Sequence, residues 1–338
     1  MHMNLYTITQ QLCARPSVSG REEDVRALLT EWVTPLAQEV RVDNLGNLIA
    51  KKKGVGNGPS VMLCAHMDEI GFLVNFIEDS GLVRIAPVGG IHFAASAFSQ
   101  VVSSRGVSGV LVPDGKVKPA DYGADGFSID IGAKSRKEAE RRVTIGDFFV
   151  VRGGVRRLAG KRICGRPLDD RIGCAVLLSV AEALAETETL GDVYYVFSVQ
   201  EEVGCRGAMT AAFGIAPDFS LCFDVTGTGD VPASDPMACS LGGGAAVKIK
   251  DRSVICHPQV VNALCSLAES HKIPYQREVL LYGGTDTSAM QMSGTGSRAG
   301  ALSIPCRYIH SAVETCDLGD AEACVRLATE FVKALPTD

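Results

Sequence analysis

The chain has 338 residues, a length that fits more than one average domain and fewer than three. Hydrophobic residues make up 46% of it and aromatic residues 6%, with 36 glycines, which favours an α/β protein with a large core and many tight turns. The formal net charge of −6 argues against a general nucleic-acid binder, and no apolar run reaches the roughly 18 residues that a membrane span needs.

The N-terminal residues and the cysteines both indicate a cytoplasmic protein. The start "MHMNLYTITQQLCARPS" lacks the basic and apolar regions of a signal peptide. The 12 cysteines show no C-x-x-C spacing, and most lie inside apolar runs. We therefore expect free, buried thiols in a reducing compartment.

The first third of the chain predicts a helix and three strands. Ser19 and Glu22 have the spacing of a capping box, and apolar residues follow at helical intervals to Val33. The stretch "VRVDNLGNLIA" predicts two short strands around a turn. The continuous apolar run "SVMLCAH" is typical of a strand buried on both faces.

Residues 69–164 differ in composition from what precedes and follows them. They are rich in Val, Ile, Gly and Ser, and they form short runs with β propensity. Only "KSRKEAERR" has a helical pattern. We expect a small, all-β, barrel-like domain here.

From residue 165 onward, helical and strand patterns alternate. In chain order they are the helix "RIGCAVLLSVAEALAE", the strands "DVYYVFSV" and "FSLCFDV", the helix "HPQVVNALCSLAESHK", the strand "AGALSIPC" and the helix "AEACVRLATEFVKAL". This alternation predicts an α/β fold with a doubly wound, mostly parallel sheet. The domains expected are a discontinuous catalytic domain, residues 1–68 and 165–338, and the inserted β-rich domain, residues 69–164.

Acidic residues and histidines cluster at the ends of these predicted elements. They are His66, Asp68, Asp169, Asp170, Glu201, Glu202, Asp224 and His310. Each one alone is more often a helix cap, a structural histidine or a solvated charge. Ligands of open α/β sheets bind beyond the carboxyl ends of the strands, so the full set predicts a site for two divalent metals at that edge.

The adjacent carboxylates Glu201 and Glu202 follow a predicted buried strand. Successive side chains of a strand point in different directions. One carboxylate can therefore bind a metal while its neighbour acts as the general base on the attacking water.

Six motifs resemble, in this order, those of the cytosolic dinuclear aminopeptidases, the family of the glutamyl and tetrahedral (TET) aminopeptidases. They are "HMDEIGF", "PLDDRIG", "VQEEVGCRGA", "FDVT", "GGTDTSAMQ" and "YIHS". The resemblance runs from the first helix to the end of the chain. It includes "GGIHF" and "DIGAKSRKEAE" in the β insertion, which are similar to parts of the family's dimerisation domain.

The resemblance implies a role for each residue of the set. The metal ligands would be His66, Asp169, Glu202, Asp224 and His310, with Asp169 as the bridge. The catalytic residues would be Glu201, as the general base, and Asp68, which would orient the imidazole of His66. Asp170 would lie across an unusual peptide bond from Asp169, and the choice between these two as the bridge stays open.

The resemblance also implies an activity and an assembly. The protein would remove N-terminal residues from short peptides, using a water activated by two divalent metal ions per subunit. Zinc is expected first, with cobalt and manganese as alternatives, because histidine and carboxylate ligands accept all three. The subunits would form homodimers that build a dodecamer.

Two other classes of function remain open at this point. A dinuclear deacetylase or amidohydrolase would use similar ligands, whereas a glycosidase would not need His66 and His310. A non-catalytic assembly protein of the same fold would have no use for Glu201. His92, His257 and His271 are expected not to bind metal, and the last two suit helix-capping positions.

Overall fold

The computed structural model describes residues 4–232 and 234–335. The part before the β insertion contains α1 (Leu5–Cys13), α2 (Glu23–Val33), β1 (Glu39–Val42), β2 (Leu48–Lys52) and β3 (Val61–His66). The insertion contains β4 (Gly71–Ile77), β5 (Val83–Val88), α3 (Phe93–Ser96), β6 (Gln100–Ser103), β7 (Ser108–Pro113), β8 (Phe127–Asp130), α4 (Arg136–Ala139) and β9 (Phe148–Val151).

The remaining elements return to an α/β order. They are β10 (Arg156–Arg157), β11 (Arg162–Gly165), α5 (Arg171–Leu184), β12 (Val193–Ser198), α6 (Arg206–Ile215), β13 (Phe219–Thr226), β14 (Ala245–Lys250), α7 (Pro258–Ser270), β15 (Tyr275–Val279), α8 (Thr287–Gln291), β16 (Arg298–Arg307), β17 (Glu314–Asp317) and α9 (Leu318–Lys333). Within the described ranges, no helix is long and apolar enough to cross a membrane.

The large sheet has parallel strands at its centre and antiparallel strands at its margins. Its order is β1-β2-β12-β3-β13-β16-β17-β11-β10, with β14 paired to β16 and β15 to β14. The central strands β12, β3, β13 and β16 run parallel. The predicted α/β class is therefore confirmed, with a mixed sheet in which only the central strands and the β14–β15 pair are parallel.

Alternation along β3 sends its side chains to two different layers of helices. Val61, Leu63 and Ala65 belong to the core that contains α1, α2, α5, α7 and α9. Met62 and Cys64 pack with apolar residues of α6 and α8 on the opposite face. Helices thus cover both faces, as predicted, and the two-residue period of the strand places His66 on the α6/α8 side.

The insertion is a closed barrel with strand order β4-β5-β8-β7-β6-β9, as the sequence predicted. Its core is separate from that of the large sheet and includes tilted contacts of Phe93 with Phe72 and Phe127. A small apolar cluster joins the two parts: Val18, before α2, packs with Val88 and Phe148 of the barrel.

The predicted boundaries of the insertion, residues 69 and 164, remain a prediction. The barrel strands themselves lie between Gly71 and Val151. Strand β10 and nearly all of β11 fall inside the predicted segment, but both belong to the large sheet, where β11 pairs with β17 and β10 pairs with β11. Residues 1–3, 233 and 336–338 of the predicted catalytic domain lie outside the described residues.

The predicted capping box at the start of α2 is wrong. The helix begins at Glu23, its cap residue is Glu22, and no side chain caps it. The Ser19 hydroxyl instead donates to Asp68 Oδ2 at 2.6 Å, and Glu22 Oε1 accepts from the Gly20 N–H. Because Glu22 Oε1 also accepts from the Gln200 N–H, both partners of the expected box take part in tertiary contacts.

Two other predictions from the sequence are confirmed. All 12 cysteines are free, and all are buried except Cys164 and Cys205, which are half-buried. His257 is the N-cap of α7, where its ring accepts from the Gln259 N–H, and His271 is the C-cap of the same helix.

Candidate metal centre

Strand β3 ends by presenting His66 at the carboxyl edge of the sheet, where the side chain is 2% exposed. The ring Nδ1 lies 3.1 Å from the backbone oxygen of Asp68 and 3.5 Å from its Oδ1. With Nδ1 engaged as a donor, Nε2 is left with a free lone pair. Nε2 faces Asp169 Oδ1 at 3.2 Å and Asp224 Oδ1 at 3.9 Å.

The carboxylate of Asp169 lies between two imidazoles. Its Oδ1 is 3.2 Å from His66 Nε2, and its Oδ2 is 3.2 Å from His310 Nε2. Each oxygen thus faces a different histidine, as a carboxylate that bridges two cations would.

Asp170 has a different environment, although it follows Asp169 through a cis peptide bond. Its Oδ1 accepts from the Gly173 N–H at the start of α5, and its Oδ2 accepts from the His66 N–H at 3.2 Å. Both oxygens are therefore occupied by backbone donors. This geometry favours Asp169 over Asp170 as the bridging carboxylate.

Glu201 and Glu202 face different partners, as expected from their adjacent positions after β12. Glu202 Oε2 lies 3.3 Å from His310 Nε2. Glu201 Oε1 instead accepts from the Cys205 thiol at 3.3 Å. One carboxylate of the pair is thus turned toward the histidines, and the other toward the start of α6.

Asp68 connects His66 to the glutamate pair. Its Oδ1 accepts from the Glu201 N–H at 3.0 Å, and its Oδ2 accepts from the Glu202 N–H at 3.2 Å. This fully buried carboxylate therefore holds the backbone of both glutamates in addition to facing the imidazole.

Burial and close contacts between carboxylates and imidazoles shift the pKa values of the side chains in the site. Burial raises the pKa of three carboxyl groups, those of Glu201, Glu202 and Asp224. For Asp169, burial also acts to raise the pKa, but hydrogen bonds from the two imidazoles outweigh it and the pKa is lowered. For His310, burial acts to lower the pKa, but hydrogen bonds to Asp169 and Glu202 raise it to about 11.

This donor set suits hard or borderline divalent cations. Donor atoms of His66, Asp169 and Glu202 lie within 4.8 Å of one another, and so do those of His66, Asp170 and Asp224. Imidazole nitrogen and carboxylate oxygen are the usual ligands of catalytic zinc and related ions. Because cations would displace the protons that these groups hold, metal binding should release protons.

Glu314, at the start of β17, was not predicted from the sequence. Its buried carboxylate accepts from the N–H groups of Asp169 at 3.1 Å and His310 at 3.3 Å, and it pairs with Arg166. Glu314 therefore ties together the backbones of two candidate ligands that are far apart in the chain. Its place four residues after His310 is not a distinctive pattern.

A second acidic group beside the centre was also not predicted. Donor atoms of Glu201, Cys205 and Asp286 lie within 4.8 Å of one another. The buried Asp286 Oδ2 accepts from the Ser198 hydroxyl at 2.5 Å. The only sequence signal for Asp286 is its place in the "GGTDTSAMQ" motif.

Several residues around the centre have a left-handed backbone. Gln200 (φ 58°), Cys205 (φ 54°), Tyr308 (φ 63°) and His310 (φ 61°) all lie next to or within the candidate ligand set. Such conformations are unfavourable for residues other than glycine and tend to collect at functional sites.

The centre opens into a cavity of about 540 Å³. Candidate ligands form one part of its wall, and Val225, Leu280, Tyr282 and Ile309 contribute apolar side chains. The barrel contributes Gly90. At the neighbouring Gly89 (φ 75°), an added Cβ would lie 2.5 Å from Ile70 Cγ2 and 3.2 Å from Glu202 Oε2, so glycine allows this turn to pack closely against the site.

An α/β sheet with this donor set at the carboxyl ends of its parallel strands defines a metal-dependent hydrolase. Residues 46–327 match the profile of the family described as M42 glutamyl aminopeptidase. The chain belongs to this family and is a metalloaminopeptidase, a peptide hydrolase. The resemblance seen in the sequence is thereby confirmed.

Relatives match over nearly the whole chain. A putative aminopeptidase of Acetivibrio thermocellus is 42% identical over 97% of this chain and 98% of its own. The lysyl aminopeptidase of Pyrococcus furiosus is 35% identical over 98% of this chain and 97% of its own. Among solved structures, the Pyrococcus horikoshii TET1 peptidase superimposes with a TM-score of 0.87 and is 33% identical in sequence. The match covers 98% of this chain and 100% of that one, and that peptidase can assemble into a tetrahedron or a large octahedral shell.

Proposed function

We propose that the protein removes N-terminal residues from short peptides with two divalent cations. His66 and Asp224 would hold one cation, Glu202 and His310 the other, and Asp169 would bridge them. The observation that carries this proposal is the position of Asp169, whose two oxygens each lie 3.2 Å from a different imidazole. Zinc fits the donors, and cobalt and manganese fit them as well.

The chemistry divides between the cations and Glu201. When bound, the cations would polarise the scissile carbonyl and make a water more acidic. Glu201 lines the cavity, and its Oε1 accepts from the Cys205 thiol rather than from an imidazole, so its carboxylate is available to take the proton of the attacking water. It then passes that proton to the nitrogen of the leaving amine. Asp68 holds the Glu201 backbone during this transfer.

Assembly into a homo-oligomer is the second part of the proposal. The relative from P. horikoshii can assemble into a tetrahedron or a large octahedral shell, and another TET structure that is 33% identical to this chain has a dodecamer in the asymmetric unit. We assign the contacts between subunits to the barrel, which has its own core and is joined to the large sheet by a small apolar cluster. A closed shell would restrict substrates to short peptides, and a cytoplasmic location fits the reduced thiols.

Metal depletion and restoration test the activity. Chelated protein should lose cleavage of leucine p-nitroanilide, and zinc, cobalt or manganese should restore it. The same substrate with an acetylated amine, and a p-nitrophenyl glycoside, serve as controls and should not be cleaved. Cleavage of the acetylated compound alone would favour a deacetylase, and cleavage of the glycoside a glycosidase.

A further inference from the structure

The cavity wall beyond the metal centre is apolar and uncharged. Among the described residues that line it, every Asp, Glu and His belongs to the candidate centre, and Lys and Arg are not present. The rest of the wall consists of glycines, Cys205, Thr226 and four larger apolar residues: Val225, Leu280, Tyr282 and Ile309. This composition bears on which N-terminal residue the enzyme accepts.

We propose that the enzyme prefers substrates whose N-terminal residue is neutral and aliphatic, such as leucine or methionine. The proposal rests on the aminopeptidase function above and specifies its substrate class. Two of the apolar residues adjoin candidate ligands in the chain, Val225 after Asp224 and Ile309 before His310. The first side chain of a bound peptide lies beside the reacting carbonyl, so it would meet these residues.

An acidic N-terminal residue would find no cation in this wall. Lys248 is fully buried, forms an ion pair with Glu278 and lies 3.9 Å from Asp251, so its charge is already matched. Arg252 lies near the wall, where its N–H donates to the Gly283 oxygen at 3.2 Å, but its exposed side chain does not line the cavity. A buried carboxylate without a partner is strongly disfavoured.

A basic N-terminal residue would also lack a partner. The carboxylates in the described lining are those assigned to the cations and to the general base, so none is left for the ammonium or guanidinium group of a substrate side chain. Glu278 does not line the cavity, and it already accepts from Lys248. It also accepts from the Thr226 hydroxyl at 2.8 Å. Thr226 is thus committed as a donor as well.

A panel of aminoacyl p-nitroanilides tests the preference with the metal-loaded, full-length protein. We expect kcat/KM for leucine and methionine to exceed that for alanine by at least about tenfold, since each methylene in an apolar pocket contributes a factor of this order. Glutamate and lysine should fall at least about 100-fold below leucine. A higher value for glutamate or lysine than for leucine would overturn the proposal while leaving the aminopeptidase function intact. Failure to cleave any member would instead refute the function itself.

Charge placed in the wall should move the preference in a predictable direction. Leu280→Arg should raise the glutamate-to-leucine ratio of kcat/KM by at least about tenfold, because the new guanidinium can pair with the substrate carboxylate. Tyr282→Arg, at a side chain that is 65% exposed, is a second variant with little risk to folding. Arg252→Ala is the matched control and should leave the ratio unchanged. An unchanged ratio in both arginine variants, or a shift in the control, would overturn the assignment of this wall.

Discussion

The proposed mechanism assigns separable tasks to single side chains of the centre, and Glu201 offers the clearest test. Glu201→Gln keeps the size of the side chain but cannot accept the proton of the water. We expect metal content near wild type and kcat lower by roughly 10²–10⁴-fold. Metal analysis of the purified protein and steady-state kinetics measure the two effects.

The neighbouring Glu202→Gln is the matched control, and it should lower metal content. A Glu201→Gln variant that loses metal would mean that the roles of the two glutamates are exchanged. Near-normal activity with full metal would refute the assignment of the base.

Asp68 supports the centre without facing the substrate. Asp68→Asn replaces one acceptor oxygen with a donor group, which would oppose either the Glu201 N–H or the Glu202 N–H. We expect metal affinity to fall by roughly 10–100-fold, as for other groups that orient metal ligands. Competition with a chromogenic chelator measures the affinity. As the control, Ser19→Ala removes a single hydrogen bond to Asp68 and should lower metal affinity less. An unchanged metal affinity of Asp68→Asn would show that Asp68 does not position the ligands.

At the scale of elements, the start of α2 predicts a dependence of stability on pH. Burial raises the pKa of Glu22 from 4.5 to about 7, and the nearby charge of Asp68 adds to the shift. Between these values the native protein retains a proton that the unfolded chain releases. The contribution of Glu22 to stability is therefore present below about pH 4.5 and lost as the pH rises through 7.

The variant Glu22→Gln should weaken this dependence. A glutamine oxygen can still accept from the Gly20 and Gln200 N–H groups. At roughly 1.4 kcal/mol per pKa unit, the wild type should lose about 3 kcal/mol relative to the variant between pH 4.5 and 8. Urea unfolding followed by the fluorescence of Trp32, the single tryptophan, measures it. Glu23→Gln, at an exposed position, is the control, and parallel pH curves for Glu22→Gln and wild type would contradict the prediction.

The elements that the sequence predicts well are those whose burial is uniform. Strands β3, β12 and β13 are predictable because the sheet centre is covered on both faces and demands unbroken apolar runs. The start of α2 is not, because Ser19 bonds to Asp68 rather than to the helix.

For the centre, motif resemblance supplies the candidate ligands but not all the residues that hold them in place. His66, Asp169 and His310 lie in recognisable motifs and come together in space. Glu314 lies in no such motif, and Asp286 lies in one that assigns it no role; the contacts of these residues with Arg166 and Ser198, which are distant in the chain, are seen only in the structure. A propensity or a local pattern carries no information on such pairings.

For the whole molecule, the barrel is predicted to mediate assembly and to supply no metal ligand. Replacing residues 71–151 with a short Gly/Ser linker keeps β10 and β11 in the large sheet. The shortened protein should lose the large oligomer in sedimentation velocity and still bind metal, with lower activity because Gly90 no longer borders the cavity.

The same linker inserted after the exposed Gly115 is the control, and it should preserve the oligomer. A shortened protein that still forms the large oligomer would show that assembly depends on other surfaces. A folded protein without metal binding would show that the ligand set is incomplete.

The order of the segments along the chain also bears on how the enzyme matures at the ribosome. The barrel strands are contiguous, so the barrel can complete its hydrogen bonding while the rest is still being synthesised. Strand β3 is synthesised earlier, and its two edges remain unpaired until its neighbours in the sheet are made. One of these neighbours is β12, whose Ser198 hydroxyl donates to the Ala65 oxygen from 133 positions further along the chain. Since His310 and Glu314 are synthesised long after His66, a nascent chain that has not yet reached them carries an incomplete set of candidate ligands.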